Sequence, residues 1–482
     1  MADRPGTGGT ADASRVQFRI FGGVVLLSLF AGLATDWYFL AGIPLVLLGA
    51  YLAVVDFRML FFLLLFCIPL STEVALPNGF GTDLPTEPLI IGLMLVYLLY
   101  VLKEGRRMSQ DFFRHPLTLI LLLHIGWIYI TTITSDLVLV SVKFSLAKTW
   151  YLVTFYFMAG SLLKTRKDLE LFFWTIFSSL FFTVLVVMVR HAAYGFSFAD
   201  IHRVLHPFQR NHVNYAADIA LFVPVVWLAR GWYQRGTLTR DFLNAAIVIM
   251  LVALYFTYTR AAFISLFIAV GVYWVIRLRL MRYALAAAAV AGVAGAAYMV
   301  RHNNYLDYAP DYDKTITHTN FDNLLEATYK MEDISTMERV YRWVAAGHMV
   351  QAQPWMGYGP GNFVNFYKPY TVKSFRTYVS RNEELSGIHS YFLMTLVEQG
   401  APGLLLFLLL SAAIFLYGER VYHRQTTPDG KRLVLMSILC LAVIYAFLLI
   451  NDMIETDKVG SFFFLCTAIL VNLDLRKNEG RQ

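Results

Sequence analysis

Residues 283–300 read YALAAAAVAGVAGAAYMV, and no comparably apolar run follows until residue 389. A stretch of this length and composition is typical of a membrane span, because about 20 apolar residues cross the hydrocarbon layer. The interval between the two runs, residues 301–388, is polar and rich in basic and aromatic side chains. This pattern predicts a chain that crosses a membrane and carries one large loop at its surface.

The composition places the chain among polytopic membrane proteins. Hydrophobic residues make up 58%, charged residues only 15%, and the mean hydropathy is +0.56, whereas soluble domains carry about 25% charged residues. Apolar segments lie near residues 18–34, 37–55, 58–70, 87–102, 116–133, 140–162, 169–189, 212–229, 243–258, 261–276, 283–300, 389–417, 433–450 and 459–474. We therefore predict an all-α polytopic membrane protein with about 12–14 transmembrane helices and one large extracytoplasmic loop domain containing short helices.

Lys and Arg are concentrated in every second connection between these segments. Cytoplasmic loops carry such an excess, so the alternation predicts that both termini are cytoplasmic and that the loop 301–388 is extracytoplasmic. The connections at 71–86, 134–137 and 451–457 are acidic or neutral, as expected for the outer side. The net charge of +7 follows from this topology and does not indicate a nucleic-acid partner.

The cysteines give no sign of a disulfide framework or a zinc site. Cys67, Cys440 and Cys466 all lie within apolar segments, where small core residues are expected. Residues 1–17 are small and polar, which predicts a disordered cytoplasmic terminus. The first apolar segment is interpreted as an uncleaved membrane anchor.

The positions of the apolar segments suggest a division of the chain into three further parts. Residues 18–204 form a predicted N-terminal transmembrane bundle, and residues 205–417 form a core that includes the loop 301–388. Residues 418–482 are predicted to form C-terminal transmembrane helices and a cytoplasmic tail.

Cationic residues on the predicted outer side are not explained by topology and are candidates for function. One group lies in the connection 190–212 and includes Arg210 and His212, and another is spread through the loop 301–388. Arg260 stands alone at the end of Thr257-Tyr258-Thr259-Arg260. It either extends to lipid head groups or directs its planar guanidinium at an anionic substrate group.

Two cations of the loop can be placed on a predicted helix. Ser335 and Glu338 have the spacing of a capping box, so a helix should begin at Thr336. Arg339 would then lie in the first turn, where the helix N-terminus favours an anion, although a solvated charge is the simpler interpretation. Arg342 follows Glu338 by four residues, which favours a structural ion pair.

His389 opens the apolar run that follows the loop. A neutral imidazole there could accept a proton, since its unperturbed pKa is about 6.5. The alternative is an interfacial polar residue without a chemical role. Glu398 would lie on the opposite face of a helix begun at this point, so it is not expected to orient His389 directly.

Two other patterns are interpreted as structural, and a third is left open. The glycine-rich segment 357–361 lacks a preceding strand and is predicted to be a turn and not a phosphate loop. Asp311 and Asp313 resemble a metal-binding pair, but no further ligand supports a metal. Asp218 lies one turn from Asn214 inside a predicted span, where a functional carboxylate and a hydrogen-bonded structural one are both possible.

Five motifs follow one another between about residues 205 and 405. They are Phe208-Gln209-Arg210-Asn211-His212-Val213-Asn214-Tyr215-Ala216, Thr257-Tyr258-Thr259-Arg260-Ala261-Ala262, Glu338-Arg339 through Trp343, Pro354-Trp355-Met356-Gly357-Tyr358-Gly359-Pro360-Gly361-Asn362-Phe363, and His389-Ser390-Tyr391 with Glu398-Gln399-Gly400 and Gly403. In this order the chain resembles the O-antigen ligase and O-antigen polymerase superfamily, which comprises lipid-linked glycan transferases of the bacterial inner membrane.

The resemblance implies that a glycan moves from an undecaprenyl diphosphate carrier to an acceptor hydroxyl on the periplasmic face, without metal or other cofactor. It assigns the ligase arginines to Arg260 and Arg339 and the essential histidine to His389, which we predict as catalytic residues. The residues predicted to bind substrate beside them are Arg210, His212, Asn214 and Arg342. Lipid A core, a growing polysaccharide or another hydroxyl compound could serve as acceptor.

Chemistry supports these assignments. Fixed guanidinium groups would stabilise the charge that develops on a diphosphate leaving group, and a positioned base would assist the acceptor hydroxyl. A single inverting displacement is expected because the motifs offer no carboxylate nucleophile. Ligation is favoured over polymerisation of O-antigen or exopolysaccharide repeat units. A transporter of polysaccharide or lipid-linked oligosaccharide is the alternative from another class, but its site would lie near the membrane midplane.

Overall fold

The computed structural model describes residues 20–31, 34–35, 43–75, 81–105, 110–308, 334–376, 380–382 and 385–479. The predicted disordered terminus 1–17 and the pair Asp311 and Asp313 lie outside these ranges. The fold class is confirmed: the described residues form helices almost throughout, with one small hairpin.

The helices are numbered here in chain order. In the first half of the chain they are α1 (Ile20–Ala31), α2 (Ile43–Val55), α3 (Phe57–Cys67), α4 (Thr86–Glu104), α5 (Asp111–Arg114), α6 (Pro116–Ile133), α7 (Val138–Tyr151), α8 (Ala159–Leu162), α9 (Arg166–Ala193), α10 (Ile201–Leu205) and α11 (His212–Ala229). In the second half they are α12 (Leu238–Tyr255), α13 (Arg260–Arg277), α14 (Met281–Val300), α15 (Ile334–Ala352), α16 (Phe363–Phe366), α17 (Tyr391–Arg424), α18 (Pro428–Leu448) and α19 (Asp457–Glu479).

In the part of the chain that the structure describes, each predicted apolar segment lies largely on one or more of these helices. Within the described residues, 11 helices are long and apolar enough to cross a membrane. The remaining three, α1 to α3, are shorter than a full span, as expected for segment 58–70. Short 3-10 turns connect several helices, including Ile68–Leu70, Arg301–Tyr308 and Met453–Glu455.

The two C-terminal spans form the centre of the bundle. Their most apolar stretches are 78% buried in α18 and 89% buried in α19, whereas none of the corresponding stretch of Met281–Asp307 is buried. Other helices therefore pack around α18 and α19, whereas α14 presents its alanine-rich surface outward.

The small hairpin lies at the predicted outer side, between α3 and α4. Strands β1 (Thr72–Ala75) and β2 (Gly81–Leu84) are antiparallel, with Thr72 opposite Leu84 and Glu73 opposite Asp83. Burial raises the pKa of Asp83 to about 7, and the charges of Asp457, Glu87 and Glu73 act in the same direction.

The glycine-rich segment 357–361 packs on a break in α17. Gly400 has φ of +69°, and a Cβ atom there would overlap the carbonyl group of Trp355. The carboxylate of Glu398 accepts a hydrogen bond from the backbone N–H of Phe363 at 3.0 Å and another from a glycine of the segment at 2.8 Å. The segment is thus a structural turn, as predicted.

The loop helix begins earlier than the capping-box spacing predicts. Helix α15 spans Ile334–Ala352, so Ser335 lies inside it and Arg339 occupies its second turn. Ser335 is therefore not the residue before the helix, contrary to what the spacing predicts. The Glu338 carboxylate accepts a hydrogen bond from Ser380 Oγ at 2.7 Å, which ties α15 to the end of the loop.

Candidate active site

His389 lies immediately before α17 in a strained backbone conformation. Its φ of +56° is in the left-handed region, which costs a residue with a side chain roughly 1–2 kcal/mol. The hydrogen bonds that hold it come from both sides. Trp343 Nε1 donates to the carbonyl of Ile388 at 3.1 Å, and the N–H of Tyr391 donates to the carbonyl of Asn451 at 3.2 Å. Contacts from α15 and from the connection after α18 therefore hold the backbone on both sides of His389.

Asn451, Arg339 and Arg342 set the environment of the imidazole. Its side chain is hydrogen-bonded to the side chain of Asn451, while Nδ1 is buried and has no hydrogen-bond partner among the described residues. Burial lowers the pKa of His389 to about 4, and the guanidinium groups of Arg339 and Arg342 lower it as well, whereas the bond to Asn451 raises it. At neutral pH the ring is therefore uncharged and can accept a proton.

Both Nη atoms of Arg342 are engaged by protein groups, while its buried Nε has no hydrogen-bond partner among the described residues. Its Nη1 donates to the carbonyl of Gly387 at 3.1 Å and its Nη2 to Asn382 Oδ1 at 3.4 Å, and Nη2 lies 3.5 Å from Glu338 Oε2. The residue is only 5% exposed. Arg342 therefore ties α15 to the segment that leads into His389, which agrees with the predicted ion pair and leaves its guanidinium little capacity for a ligand.

Arg339 lies on the same face of α15, since residues three apart on a helix are neighbours. Arg339 is half-buried, and its positive charge lowers the pKa of His389. A cation and an uncharged base thus face the same region. This is the pairing that a reaction with an anionic leaving group and a hydroxyl nucleophile requires.

The connection between α18 and α19 completes this part of the site, and sequence reasoning assigned it only a topological role. Asn451 Oδ1 accepts the N–H of Asp452 at 3.1 Å, which orients the amide toward His389. Burial raises the pKa of the Asp452 carboxyl, while Arg342 opposes that rise. Its carboxylate also lies against Gly387, where a Cβ atom would collide with it. The missed signal was a polar Asn-Asp pair in a short turn between two strongly apolar spans.

An ion pair lies beneath this connection. Lys148 of α7 approaches Glu455 to 2.7 Å, and its ammonium lies 5.6 Å from the ring centre of Tyr391. Burial raises the pKa of Glu455, and Lys148 counteracts it. The pair thus packs against Tyr391, two residues after His389. Nothing in the sequence pattern singled out Lys148.

The second set of predicted residues surrounds the start of α11 and α13. Thr259 Oγ1 donates to the carbonyl of His212 at 3.4 Å, which brings Arg260 at the first position of α13 close to the N-terminus of α11. The ring of His212 contacts those of Phe198 and His202, with centres 5.8 and 5.2 Å apart. The structure therefore places the residue before Arg260 against the backbone of His212, and a shared role of Arg260 and His212 stays a prediction.

Arg210 and Asn214 lie at the edge of this second set. The side chain of Arg210 is 66% exposed and stands 3.7 Å from Glu73 Oε2. Asn214 donates its backbone N–H to Asn211 Oδ1 at 2.8 Å, which caps α11. Asp218 accepts a hydrogen bond from Gln209 Nε2 at 2.6 Å. This bond agrees with the interpretation of Asp218 as a hydrogen-bonded structural carboxylate.

Lys458 connects the two sets. Its ammonium donates to the carbonyl of Ser71 at 3.2 Å and to that of Phe208, so it holds the segment before α11 against the start of α19. The same helix follows directly after the connection that carries Asn451. Lys458 thereby ties the N-terminal ends of α11 and α19 to each other. Among the described residues, no group of His, Cys, Asp and Glu side chains is arranged to hold a metal ion.

Comparison with known proteins identifies one family. Residues 245–408 match the model of the family described as O-antigen ligase, which covers about a third of the chain and includes Arg260, Arg339, Arg342 and His389. The match begins later than the predicted resemblance, so Arg210, His212 and Asn214 precede it. No curated protein matches the chain.

Proposed function

We propose that this chain, whose residues 245–408 match the O-antigen ligase family model, transfers a glycan from an undecaprenyl diphosphate carrier to an acceptor hydroxyl at the periplasmic face of the bacterial inner membrane. The observation that carries the proposal is the uncharged His389, with Nδ1 available, beside the cation Arg339. The family match supports glycan transfer in general. The uncharged His389 and the cation Arg339 support an attack by a hydroxyl group with an anionic leaving group.

On the donor side, Arg339 and Arg260 bind the diphosphate. Guanidinium groups form paired hydrogen bonds to phosphate oxygens, and in a site with little water they stabilise the negative charge that develops as the glycosyl bond breaks. Arg210, His212 and Asn214 support the donor from the start of α11. Arg342 acts indirectly, since its bonds to Gly387 and Asn382 hold the backbone before His389.

On the acceptor side, His389 Nδ1 accepts the hydroxyl proton while the hydroxyl oxygen attacks the anomeric carbon. The bond from that carbon to the diphosphate oxygen breaks, and its electron pair leaves with undecaprenyl diphosphate. The configuration at the anomeric carbon is inverted because the displacement occurs once. The proton on His389 is then released to water. Two guanidinium groups provide the positive charge that the leaving group needs, so we expect full activity in EDTA.

Donor binding should itself make His389 a better base. Arg339 and Arg342 lower its pKa in the protein without ligand, and a diphosphate between these cations and the imidazole offsets their charge. The pKa of His389 then rises from about 4 toward the value of a free histidine. The base therefore gains proton affinity only when the donor is present.

The decisive experiment measures transfer in proteoliposomes that contain the full-length protein, a lipid-linked glycan donor and its acceptor. His389→Ala and Arg339→Ala should each lose at least about 100-fold in rate, the usual contribution of a positioned base or charge. Matched controls are His302→Asn and Arg376→Ala, which change an exposed histidine and an exposed arginine of the same side. Undiminished transfer by His389→Ala protein would refute the proposal.

The acceptor can be identified by deleting the gene and separating the surface glycans on gels. Ligase activity predicts bare lipid A core together with accumulated lipid-linked polymer. Core that carries a single repeat unit would indicate a polymerase. Normal lipopolysaccharide with loss of an exopolysaccharide would assign the enzyme to that other glycan.

A further inference from the structure

A large cavity opens at the membrane face opposite His389. It has a volume of about 1190 Å³ and is lined by the ends of α4, α6, α8, α17 and α19 together with α5. Tyr417 and Arg424 line it at the end of α17, while His389 precedes the start of the same helix. From the break at Gly400 to Arg424 the helix rises about 36 Å at 1.5 Å per residue, which exceeds the roughly 30 Å hydrocarbon layer. The cavity is therefore separate from the candidate active site.

One wall of the cavity is cationic. Its lining contains five cations, Arg114, Lys164, Arg420, Arg424 and Arg476, and three carboxylates, Glu104, Asp111 and Asp474. One carboxylate is already balanced within the protein: Asp474 lies 3.3 Å from His115 Nε2 and accepts a hydrogen bond from Arg424 at 3.0 Å. His115 Nδ1 accepts the N–H of Leu117, so its Nε2 carries the proton that faces Asp474. The remaining charge of the lining is positive.

Aromatic side chains form a second part of the lining, called the aromatic wall here. Phe113 stacks on Phe157 with ring centres 5.1 Å apart, and Tyr100 packs on Phe57 at 5.2 Å. The α4 helix that contributes Tyr100 faces outward with apolar side chains, and Leu99 and Leu102 are 66% and 83% exposed. A surface of this kind is in contact with lipid, so the cavity adjoins the acyl region and the interface at the same time.

A π-helical segment shapes the cavity floor. Residues Leu152–Met158 form a wide turn between α7 and α8, and such insertions are frequent at functional sites. Neighbouring side chains satisfy the displaced carbonyl groups: Tyr97 donates to Phe157 at 3.1 Å, and Asn472 donates to Gly160 and Leu163 at 2.9 and 3.0 Å. The wide turn is thus held in place by α4 and α19.

We propose that this cavity binds the phosphate head group of an anionic phospholipid from the adjacent leaflet. Basic pockets between transmembrane helices are suited to such head groups, and the aromatic wall accommodates the glycerol backbone and the start of the acyl chains. The exposed cations Lys164 and Arg420 contact the phosphate, while Arg424 remains paired with Asp474. The site is distinct from glycan transfer and does not depend on it.

The test measures thermal unfolding and lipid-bound intact mass of the full-length protein in neutral detergent. Cardiolipin and phosphatidylglycerol should raise Tm and remain bound in the mass spectrum, whereas phosphatidylcholine should not. The double variant Lys164→Ala/Arg420→Ala should weaken cardiolipin binding at least about tenfold, equivalent to about 1.4 kcal/mol. Arg420→Lys should retain most of it, because an ammonium still binds phosphate as a point charge.

The matched control is Arg235→Ala, which removes an exposed arginine between α11 and α12, outside the cavity lining. It should bind cardiolipin as the unaltered protein does. Equal stabilisation by phosphatidylcholine, or equal weakening in the control variant, would overturn the proposal. Inorganic phosphate that reproduced the whole effect of cardiolipin would replace the lipid by a soluble phosphate ligand and would also overturn it.

Discussion

The side chain of His389 is hydrogen-bonded to the side chain of Asn451, although α17 and α18 separate the two residues in the chain. The bond joins the entry of one membrane helix to the connection between the next two. It gives the imidazole a polar partner, while Nδ1 is buried and has no hydrogen-bond partner among the described residues. A ring held by such a partner is expected of an oriented base.

Asn451 should therefore act as a positioning residue. We expect Asn451→Ala to reduce kcat by about 100-fold, since misplacement of a base by about 1 Å costs this much. Asn451→Asp should instead raise the pKa of His389, because a carboxylate stabilises the imidazolium. The pH profile of kcat/KM separates these outcomes from a purely structural role. An unshifted acid limb in the Asp variant would contradict the assignment.

The pH dependence of transfer should report two different states of His389. In the protein without donor its pKa is about 4, below the unperturbed value of about 6.5, so kcat/KM should be constant at neutral pH and fall as pH decreases through about 4. With saturating donor the pKa rises, so the acid limb of kcat should lie at higher pH. Coincident limbs would argue against a diphosphate beside the histidine.

The same shift has a consequence for stability. The unfolded chain binds a proton at His389 at a higher pH than the folded protein does. The neutral ring therefore contributes fully above the unfolded pKa of about 6.5, and its contribution is lost as pH falls from there toward the folded value. His389→Gln should make Tm less sensitive to pH in this window, as measured in detergent by intrinsic fluorescence. An unchanged slope of Tm against pH would contradict this.

Arg339 and Arg342 should respond differently to substitution. Arg342→Gln breaks a buried network with Glu338, Gly387 and Asn382, and such changes cost about 3 to 5 kcal/mol. We expect a clearly lower Tm together with lost activity. Arg339 is only half-buried, so Arg339→Gln should lower Tm less than Arg342→Gln does, while transfer is lost. Loss of stability in both variants to the same extent would show that Arg339 also has a structural role.

A substitution at Gly387 would test the contact between the segment before His389 and the connection from α18 to α19. A Cβ atom at Gly387 would collide with the Asp452 carboxylate, so Gly387→Ala should displace the connection that carries Asn451 and reduce kcat by at least about tenfold. Gly347→Ala is the matched control, because a Cβ atom there meets nothing within 4 Å. That variant should remain active and gain about 0.5–1 kcal/mol of stability from helix propensity.

Local patterns were sufficient for the membrane fold and for part of the site. Apolar runs locate spans because the bilayer penalises every unsatisfied backbone group, and the described parts of the predicted segments are largely helical. The ion pair of Glu338 and Arg342 follows from helical spacing. The hydrogen bond from Ser380 to Glu338 could not be predicted, because this contact depends on how the loop folds back.

The sequence by itself therefore determined the membrane class, the positions of the spans, and the candidates His389, Arg339 and Arg260. Only the tertiary structure brought Asn451 to His389, Lys148 to Glu455 and Lys458 to Phe208. The physical reason is that periodicity and capping act between residues a few positions apart. A hydrogen bond between distant segments depends on the packing of whole helices, to which no short pattern corresponds.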